Sequence, residues 1–307
     1  MLRRKGNSKF VGKNPVTFLI LLLHFCSAKS FAELPLTVED LITKNDEFQL
    51  SFNIGYANAD RSNVSALYDD IDTGNNNFIR LPVAIGEQRK NSDIYTFTLG
   101  GRYGLSKRTE IYSRLTAIAN DTRFYVADGS NSFKSKQLSQ LILGFNFQFY
   151  DDAYSSALQS FTELTLVENT VIDGSKYAYL KAGKFGFTTY RALDPVVLSL
   201  TAGLSHSWLR KVNGKKINPG DLLFINPSIR FAANNVVTLT GGVQLNFRTR
   251  DTIEDEWTGI RTSQSDLEFG IGYASSENLK ISLMITSDIS GDSGAEANIG
   301  WRYKFIN

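Results

Sequence analysis

Apolar residues recur at every second position through most of this chain. The closing segment shows the pattern plainly: Ala295, Ala297, Ile299, Trp301, Tyr303 and Phe305 alternate with Glu296, Asn298, Gly300, Arg302 and Lys304. Side chains of a β-strand point alternately to its two faces, so a period of two gives one apolar face and one polar face. The same alternation predicts strands over about 46–57, 93–104, 109–120, 137–150, 160–170, 176–189, 195–209, 221–232, 236–249, 263–274 and 279–287. In the first of these Phe48, Leu50, Phe52, Ile54 and Tyr56 share one face, and Gln49, Ser51, Asn53 and Gly55 the other. The segment 176–189 carries Lys181 and Lys184 on opposite faces, which leaves its facing open. Leu81-Pro82-Val83 is apolar but interrupted by proline, which removes a ladder donor, so it is assigned to a loop.

The connections sort by length. Those at 105–109, 151–159, 190–194, 233–235 and 275–278 are short, and those beginning at 58, 121, 210 and 250 are long. Alternating short and long connections between strands of about ten residues are the asymmetry of a transmembrane barrel, with short turns in the periplasm. Twelve strands put both chain ends on the periplasmic side. A soluble sandwich would leave strand edges to protect, whereas a closed barrel in lipid pairs every backbone group. Aromatic residues mark the strand ends (Tyr56, Tyr103, Phe149, Trp208, Tyr273, Trp301, Tyr303), and charges sit on the polar faces. The expected fold is all-β: a closed, antiparallel, up-and-down transmembrane β-barrel of about twelve strands.

The first 32 residues have another character. Arg3, Arg4, Lys5, Lys9 and Lys13 precede an apolar run from Val16 to about Ala28, and Ser30-Phe31-Ala32 reads as a small-x-small cleavage site. The run is too short for a membrane-spanning helix, which needs about 20 residues. Residues 1–32 are therefore expected to be a signal peptide, 33–45 a periplasmic N-terminal arm or short helix, and 46–307 the barrel, placed in the bacterial outer membrane. Thr37 followed by Asp40 is a capping-box pattern for that arm.

Composition then changes meaning. The whole chain has 33 Lys/Arg and 31 Asp/Glu, but six of the basic residues fall in 1–32, leaving 27 against 31 and a net charge of −4. The apparent basicity belongs to the leader, so the charge pattern gives no basic patch for nucleic acid. The single cysteine, Cys26, also lies there, so no disulfide framework follows.

Several segments resemble a family of bacterial outer-membrane transporters labelled "meta-pathway of phenol degradation". The residues that carry the likeness are Arg102-Tyr103-Gly104-Leu105-Ser106 with Glu110, Asp194-Pro195-Val196 leading to Ser205-His206-Ser207, Asn226-Pro227-Ser228-Ile229-Arg230-Phe231, and the closing half from Ser265. The resemblance implies an outer-membrane barrel with a transport role for small molecules, hydrophobic or aromatic ones among them. It supplies no substrate and no site residues. Such barrels usually end on an aromatic residue, whereas here Phe305 is followed by Ile306 and Asn307. The aromatic face of the last strand (Trp301, Tyr303, Phe305) is the segment expected to meet the barrel-insertion machinery.

Candidate chemistry is sparse. His206 is the one histidine outside the leader, and a hydrolytic triad would need a nucleophile and an orienting partner in reach. Ser205 and Ser207 are its sequence neighbours and so point to the other face, which favours an interfacial role and no enzymatic activity. Asp69, Asp70 and Asp72 with Gly74 and Asn75–Asn77 suggest a calcium loop, but the glycine comes one position early and Leu81 stands where the bidentate glutamate belongs. Glu254-Asp255-Glu256 reads as a surface charge run. No metal or cofactor is called for.

The charges on the inner parity form the one functional constellation: Arg102, Glu110, Arg114, Arg230, Arg248, Asp266, Glu268, Glu296 and Arg302, with Lys304. They define either a polar pathway whose charge ladder tunes selectivity or a salt-bridge network that fills the lumen. Eight strands make a filled interior and 16–18 an open channel, so twelve leaves both open. The function expected is a channel or transporter. The alternative is a structural or accessory barrel of a surface-appendage system, with 33–45 and 58–92 as contact surfaces for a periplasmic or surface partner. A membrane hydrolase stands last.

Overall fold

The structure is a computed structural model. It describes residues 42–61, 68–72, 78–82, 89–126, 129–152, 155–172, 175–179, 182–212, 214–258, 260–290 and 293–305. All of them belong to one compact unit, Glu33–Asn307. Twelve strands pair in chain order: β1 (Phe48–Arg61), β2 (Arg89–Ser106), β3 (Thr109–Val126), β4 (Gly129–Tyr150), β5 (Ala157–Ile172), β6 (Ala182–Leu193), β7 (Val196–Ser207), β8 (Leu222–Ala232), β9 (Val237–Arg248), β10 (Thr262–Ala274), β11 (Leu279–Asp288) and β12 (Ser293–Phe305). A short strand, Ser175–Tyr179, pairs with the far end of β5 and prolongs the position of β6. β1 closes on β12 over thirteen consecutive antiparallel pairs, from Phe48 opposite Phe305 to Asp60 opposite Ser293. The sheet therefore has no edge, and its backbone groups are satisfied around the ring.

The expected facing holds along the wall. Phe48, Leu50, Phe52, Tyr95, Phe97, Leu99, Ile111, Leu115, Phe185, Phe187, Leu198, Leu200, Ile229, Phe269, Ile271 and Phe305 are all exposed, Leu99 at 49%. Their partners in alternation are polar and buried: Gln49, Thr96, Thr98, Glu110, Thr116, Gln140, Asn146, Gln159, Glu163, Asn226, Gln244 and Asp266. Apolar outside and polar inside is the reverse of a soluble domain and the signature of a barrel in lipid. No described helix is long and apolar enough to cross a membrane; the crossing is made by strands.

Five expectations change in detail. The predicted loop 121–135 is mostly strand, since β3 and β4 run outward and pair as far as Val126 opposite Gly129. Asp121, Thr122 and Arg123 face Lys134, Phe133 and Ser132 there, so the apolar alternation stops although backbone pairing continues. The proline-containing piece in 58–92 is also paired: Phe78–Pro82 forms a hairpin with Tyr68–Asp72, outside the barrel ring. The side chains of Asp69, Asp70 and Asp72, and residues 73–77 with them, lie outside the described set. The loops after β7 and β9 join as a small outer sheet of Arg210–Val212, Lys215–Asn218, Asp251–Ile253 and Glu256–Thr258. The facing of 176–189 is settled by β6: Phe185 and Phe187 are outside, and Lys184 lies opposite Glu163 on the inner parity. Lys181 lies outside the described residues.

The arm is the fifth. Residues 33–41 lie outside the described set, but 42–47 fold against the barrel's first turn. Asn45 bridges Gly104 in parallel, Asp46 N–H donates to the Gly104 carbonyl at 2.9 Å, and Gly104 N–H donates to the Glu47 carbonyl at 3.1 Å. Ile42 and Thr43 are buried. β1 begins at Phe48, two residues later than expected, because Asn45–Glu47 turn the chain into the barrel, with Asp46 at φ 62°.

Candidate functional site

Rows of residues opposite one another across successive strands organise the inner wall. One row runs Gln49, Arg102, Tyr112, Gly144, Glu163, Lys184, Ser205, Leu222 and Arg248. A second, nearer the short turns, runs Glu110, Asn146, Phe161, Gly186, Gly203, Phe224, Asn246 and Gln264. Glycine makes both rows possible. A Cβ on Gly144 would stand 2.1 Å from Cζ of Tyr112, so only a bare backbone lets that ring lie flat along the wall and reach Glu163. Gly186 gives the same clearance to Phe161.

Two ionic knots form on these rows. In the first, Glu110 is fully buried and accepts the guanidinium of Arg102 through both Nε (3.1 Å) and Nη2, the Asn146 amide at 2.5 Å, and the backbone N–H of Thr43 at 2.7 Å. In the second, Glu163 takes Nη2 of Arg114, the Tyr112 hydroxyl at 2.6 Å, and Lys184 at 3.7 Å. The same Lys184 ammonium lies 5.5 Å from the Phe161 ring centre and 4.8 Å from that of Phe224, whose centres are 6.2 Å apart. A buried carboxylate with several charge-assisted donors is held rigidly, and removing any partner exposes the others to an uncompensated charge.

The remaining predicted residues are distributed along the wall. Glu268 accepts the Gln244 amide, lies within Coulomb range of Arg230, and has Gly242 opposite it. Asp266 accepts the Gln264 amide at 3.0 Å. Glu296 stands on the inner parity between Ala57 and Thr286. Arg248 is at the outer end of β9, where Nη1 donates to the Gly220 carbonyl at 3.3 Å, so it braces the outer sheet's base rather than the mid-lumen. Lys304 lies 3.9 Å from Glu47 and ties β12 to the arm. Arg302 stands on the inner parity, opposite Lys280 on β11 and Ser51 on β1.

Sequence reasoning missed Glu163, Lys184, Phe161 and Phe224 as members of the site. For Glu163 the signal was blurred because β5 bulges at Leu166 and its alternation slips by one there, and for Lys184 because Lys181 stands on the opposite parity. Phe224 is an apolar residue on an inward parity and had no sequence signal beyond the glycines Gly186 and Gly203 opposite.

His206 is exposed on the outer face. Its Nδ1 is 3.0 Å from Asp221 Oδ1, and its ring meets Trp208 edge-on at 6.4 Å. Asp221 also accepts the Ser207 N–H at 3.1 Å, and the Ser207 side chain is buried on the opposite face. The histidine thus pairs with a carboxylate at the barrel's outer rim. Among the described residues no group of three His, Cys, Asp or Glu side chains could hold a metal ion.

No protein-family model and no curated protein matches the chain. Similarity appears at the level of structure. An outer membrane channel from Pseudomonas putida F1 superposes with a TM-score of 0.60 at 9% identity, covering 91% of this chain and 99% of that one. The translocator domain of the autotransporter NalP from Neisseria meningitidis superposes with a TM-score of 0.51 at 9% identity, covering 88% and 92%. At that identity the likeness is one of fold, and the fold they share with this chain is the outer-membrane β-barrel.

Proposed function

We propose that this chain is an outer-membrane channel for small molecules, with hydrophobic and aromatic solutes within its range. The observation that carries the reading is the inner wall. A barrel serving only as a scaffold can fill its interior with apolar side chains, whereas this one, apart from a small buried cluster of Ala57, Ile94 and Ile118, lines it with Arg, Lys, Glu, Asp and amides from eleven of its twelve strands. Maintaining ionised groups inside a barrel is costly unless water or solute meets them there. The fold shared with an outer membrane channel agrees with this reading, as does the resemblance of its motifs to the phenol-degradation transporters.

The test is conductance of the refolded chain in a planar lipid bilayer. Discrete, salt-dependent openings are expected, with amplitude altered by Glu163→Gln or Lys184→Gln. A correctly folded barrel that stays silent, and gives proteoliposomes no added permeability to phenol, would overturn the reading.

A further inference from the structure

One side of the inner wall is covered and the other is partly open. On β1–β3, away from the short turns, the inward residues Ala57, Ser92, Ile94, Thr96, Ile118 and Thr122 are all buried, none exposed beyond 5%. Ala57 stands opposite Ile94, one residue from Tyr56 and Tyr95, whose rings meet on the lipid face at 5.2 Å. From Ala57 the same row continues through Glu296 on β12, Thr286 on β11 and Glu268 on β10. There Glu296 and Glu268 are partly exposed, as are Met284 and Asn298, which stand opposite one another on the neighbouring inward row. Side chains just fill a ring of eight strands, so small ones cannot fill a ring of twelve. Residues as short as Ala57, Ser92 and Thr96 are buried there because another part of the chain lies on them.

The hairpin between β1 and β2, Tyr68–Asp72 with Phe78–Pro82, is placed to do so. It leaves from the outer ends of these two strands, yet Cα atoms of Phe78–Pro82 come within 8 Å of β5, three strand positions beyond β2 around the ring. With strands about 4.8 Å apart and tilted about 40°, a twelve-strand ring is about 24 Å across, and three steps span a chord of about 17 Å. Five extended residues reach about 17 Å, so the hairpin is long enough to cut that chord inside the ring. A two-stranded hairpin is marginal in water by itself and needs a surface to pack on. This one pairs Ile71 with Ile79, and the inner wall offers the Ala57–Ile94–Ile118 cluster. We propose that the hairpin folds back into the barrel, lies against the inner faces of β1–β3 and reaches β5, and so narrows the passage, at that level, to the side lined by β8–β12. The inference deepens the channel reading and rests on it for the passage, though not for where the hairpin lies. It makes Glu268 and Glu296 the charges that a solute meets at the narrowed level.

Two measurements on the folded full chain test it, thiol labelling and conductance. Cys26 is the only cysteine of the sequence, so a Cys26→Ser background leaves any introduced thiol as the sole target. Ser92→Cys places a thiol of nearly the same size under the proposed cover, and Asn298→Cys places one on the partly open wall. A charged maleimide, which does not cross lipid, should label Asn298→Cys quickly and Ser92→Cys many times more slowly. Replacing residues 68–82 by a short glycine–serine linker should bring Ser92→Cys up to the rate of Asn298→Cys. The same replacement should raise the single-channel conductance severalfold in a planar bilayer.

Fast labelling of Ser92→Cys in the intact barrel would overturn the position given to the hairpin, as would protection that survives its removal. A gain of labelling without a rise in conductance would overturn its part in narrowing the passage and leave the channel standing. Intact and shortened barrels that are both silent would overturn the channel, and the labelling rates would still decide where the hairpin lies. Heat-dependent migration of each variant in gel electrophoresis verifies that the barrel has formed.

Discussion

The backbone N–H of Thr43 donates to Oε2 of Glu110 at 2.7 Å, across 67 residues of sequence. One bond thus fastens the segment before β1 to the same carboxylate that holds Arg102 and Asn146. The arm and the knot around Glu110 are a single unit. The neighbouring contact is closer still: a Cβ on Gly104 would stand 2.0 Å from the Lys44 carbonyl oxygen. No side chain fits there, so the arm can lie against the turn only because residue 104 is glycine.

Gly104→Ala should therefore lift residues 42–47 from the barrel while leaving the twelve strands paired. Limited proteolysis is the measure: cleavage near Lys44 should become fast in the variant, with the barrel itself still heat-modifiable. Resistance equal to the wild type would mean that the arm contacts are not as close as described. Glu110→Gln should act more broadly, because it removes the charge partner of Arg102 in a site without solvent. Breaking a buried pair by removing one partner costs about 3–5 kcal/mol. A large fall in the urea midpoint should accompany loss of arm protection.

Gly144 and Tyr112 make a second test of close fit. Gly144→Val would drive the Tyr112 ring off the wall and break its bond to Glu163. Tyr112→Phe keeps the ring and loses only the hydroxyl, which should cost about 1.5–3 kcal/mol for a hydrogen bond to a charged acceptor. The glycine variant should be the more destabilised in urea unfolding. The reverse order would place the stabilisation in the hydroxyl rather than in the packing.

Position along a strand should decide what an arginine costs. Leu99 on β2 is on the lipid face with the middle of β1 opposite it, paired to Phe52. Leu99→Arg should cost about 2–4 kcal/mol, the range for the bilayer midplane, and Tyr125→Arg on the outer end of β3 about 0–1 kcal/mol. Both side chains are exposed, so exposure alone predicts equal effects. Equilibrium unfolding in lipid vesicles would separate the two. An equal cost at Tyr125 would place the outer β3–β4 extension inside the bilayer.

These contrasts show where the fold was legible in the sequence and where it was not. Alternation was readable wherever one face met lipid, as in Phe48 to Tyr56 or Leu198 to Leu204, because lipid demands an apolar side chain at every second position. It failed at the far end of β3 and β4, where Asp121–Arg123 and Ser132–Lys134 pair as strands although polar residues stand on both parities. The inner wall was legible in its parity but not in its partners. Arg102 and Glu110 are eight residues apart on one hairpin, so their meeting could be inferred from a tight turn. Arg114 and Glu163 meet across 49 residues through two intervening registers, each with a bulge, and no local pattern encodes that. The lipid-facing alternation places the strands, while the bulges decide which charges meet.

The seam gives the last prediction. Closure between β1 and β12 is marked on its lipid side by two aromatic pairs, Phe48 with Phe305 at 5.6 Å and Phe52 with Trp301 at 5.8 Å, and within β12 Tyr303 meets Phe305 at 4.8 Å. Phe305 belongs to two of these contacts and sits at the last register position, opposite the first residue of β1. A barrel cannot close until these ends meet, so this residue acts late in folding as well as in the finished wall. Phe305→Ala should remove two aromatic contacts, each worth about 0.5–1.5 kcal/mol beyond area. It should slow the appearance of the heat-modifiable form more than Phe269→Ala, which removes a lipid-facing ring of the same size away from the seam. If Phe305 is also the residue that the insertion machinery reads, the delay should be larger in cells than in refolding from urea into vesicles. An equal delay in both settings would assign the residue to closure alone, and no delay in either would leave the ring as lipid-facing surface.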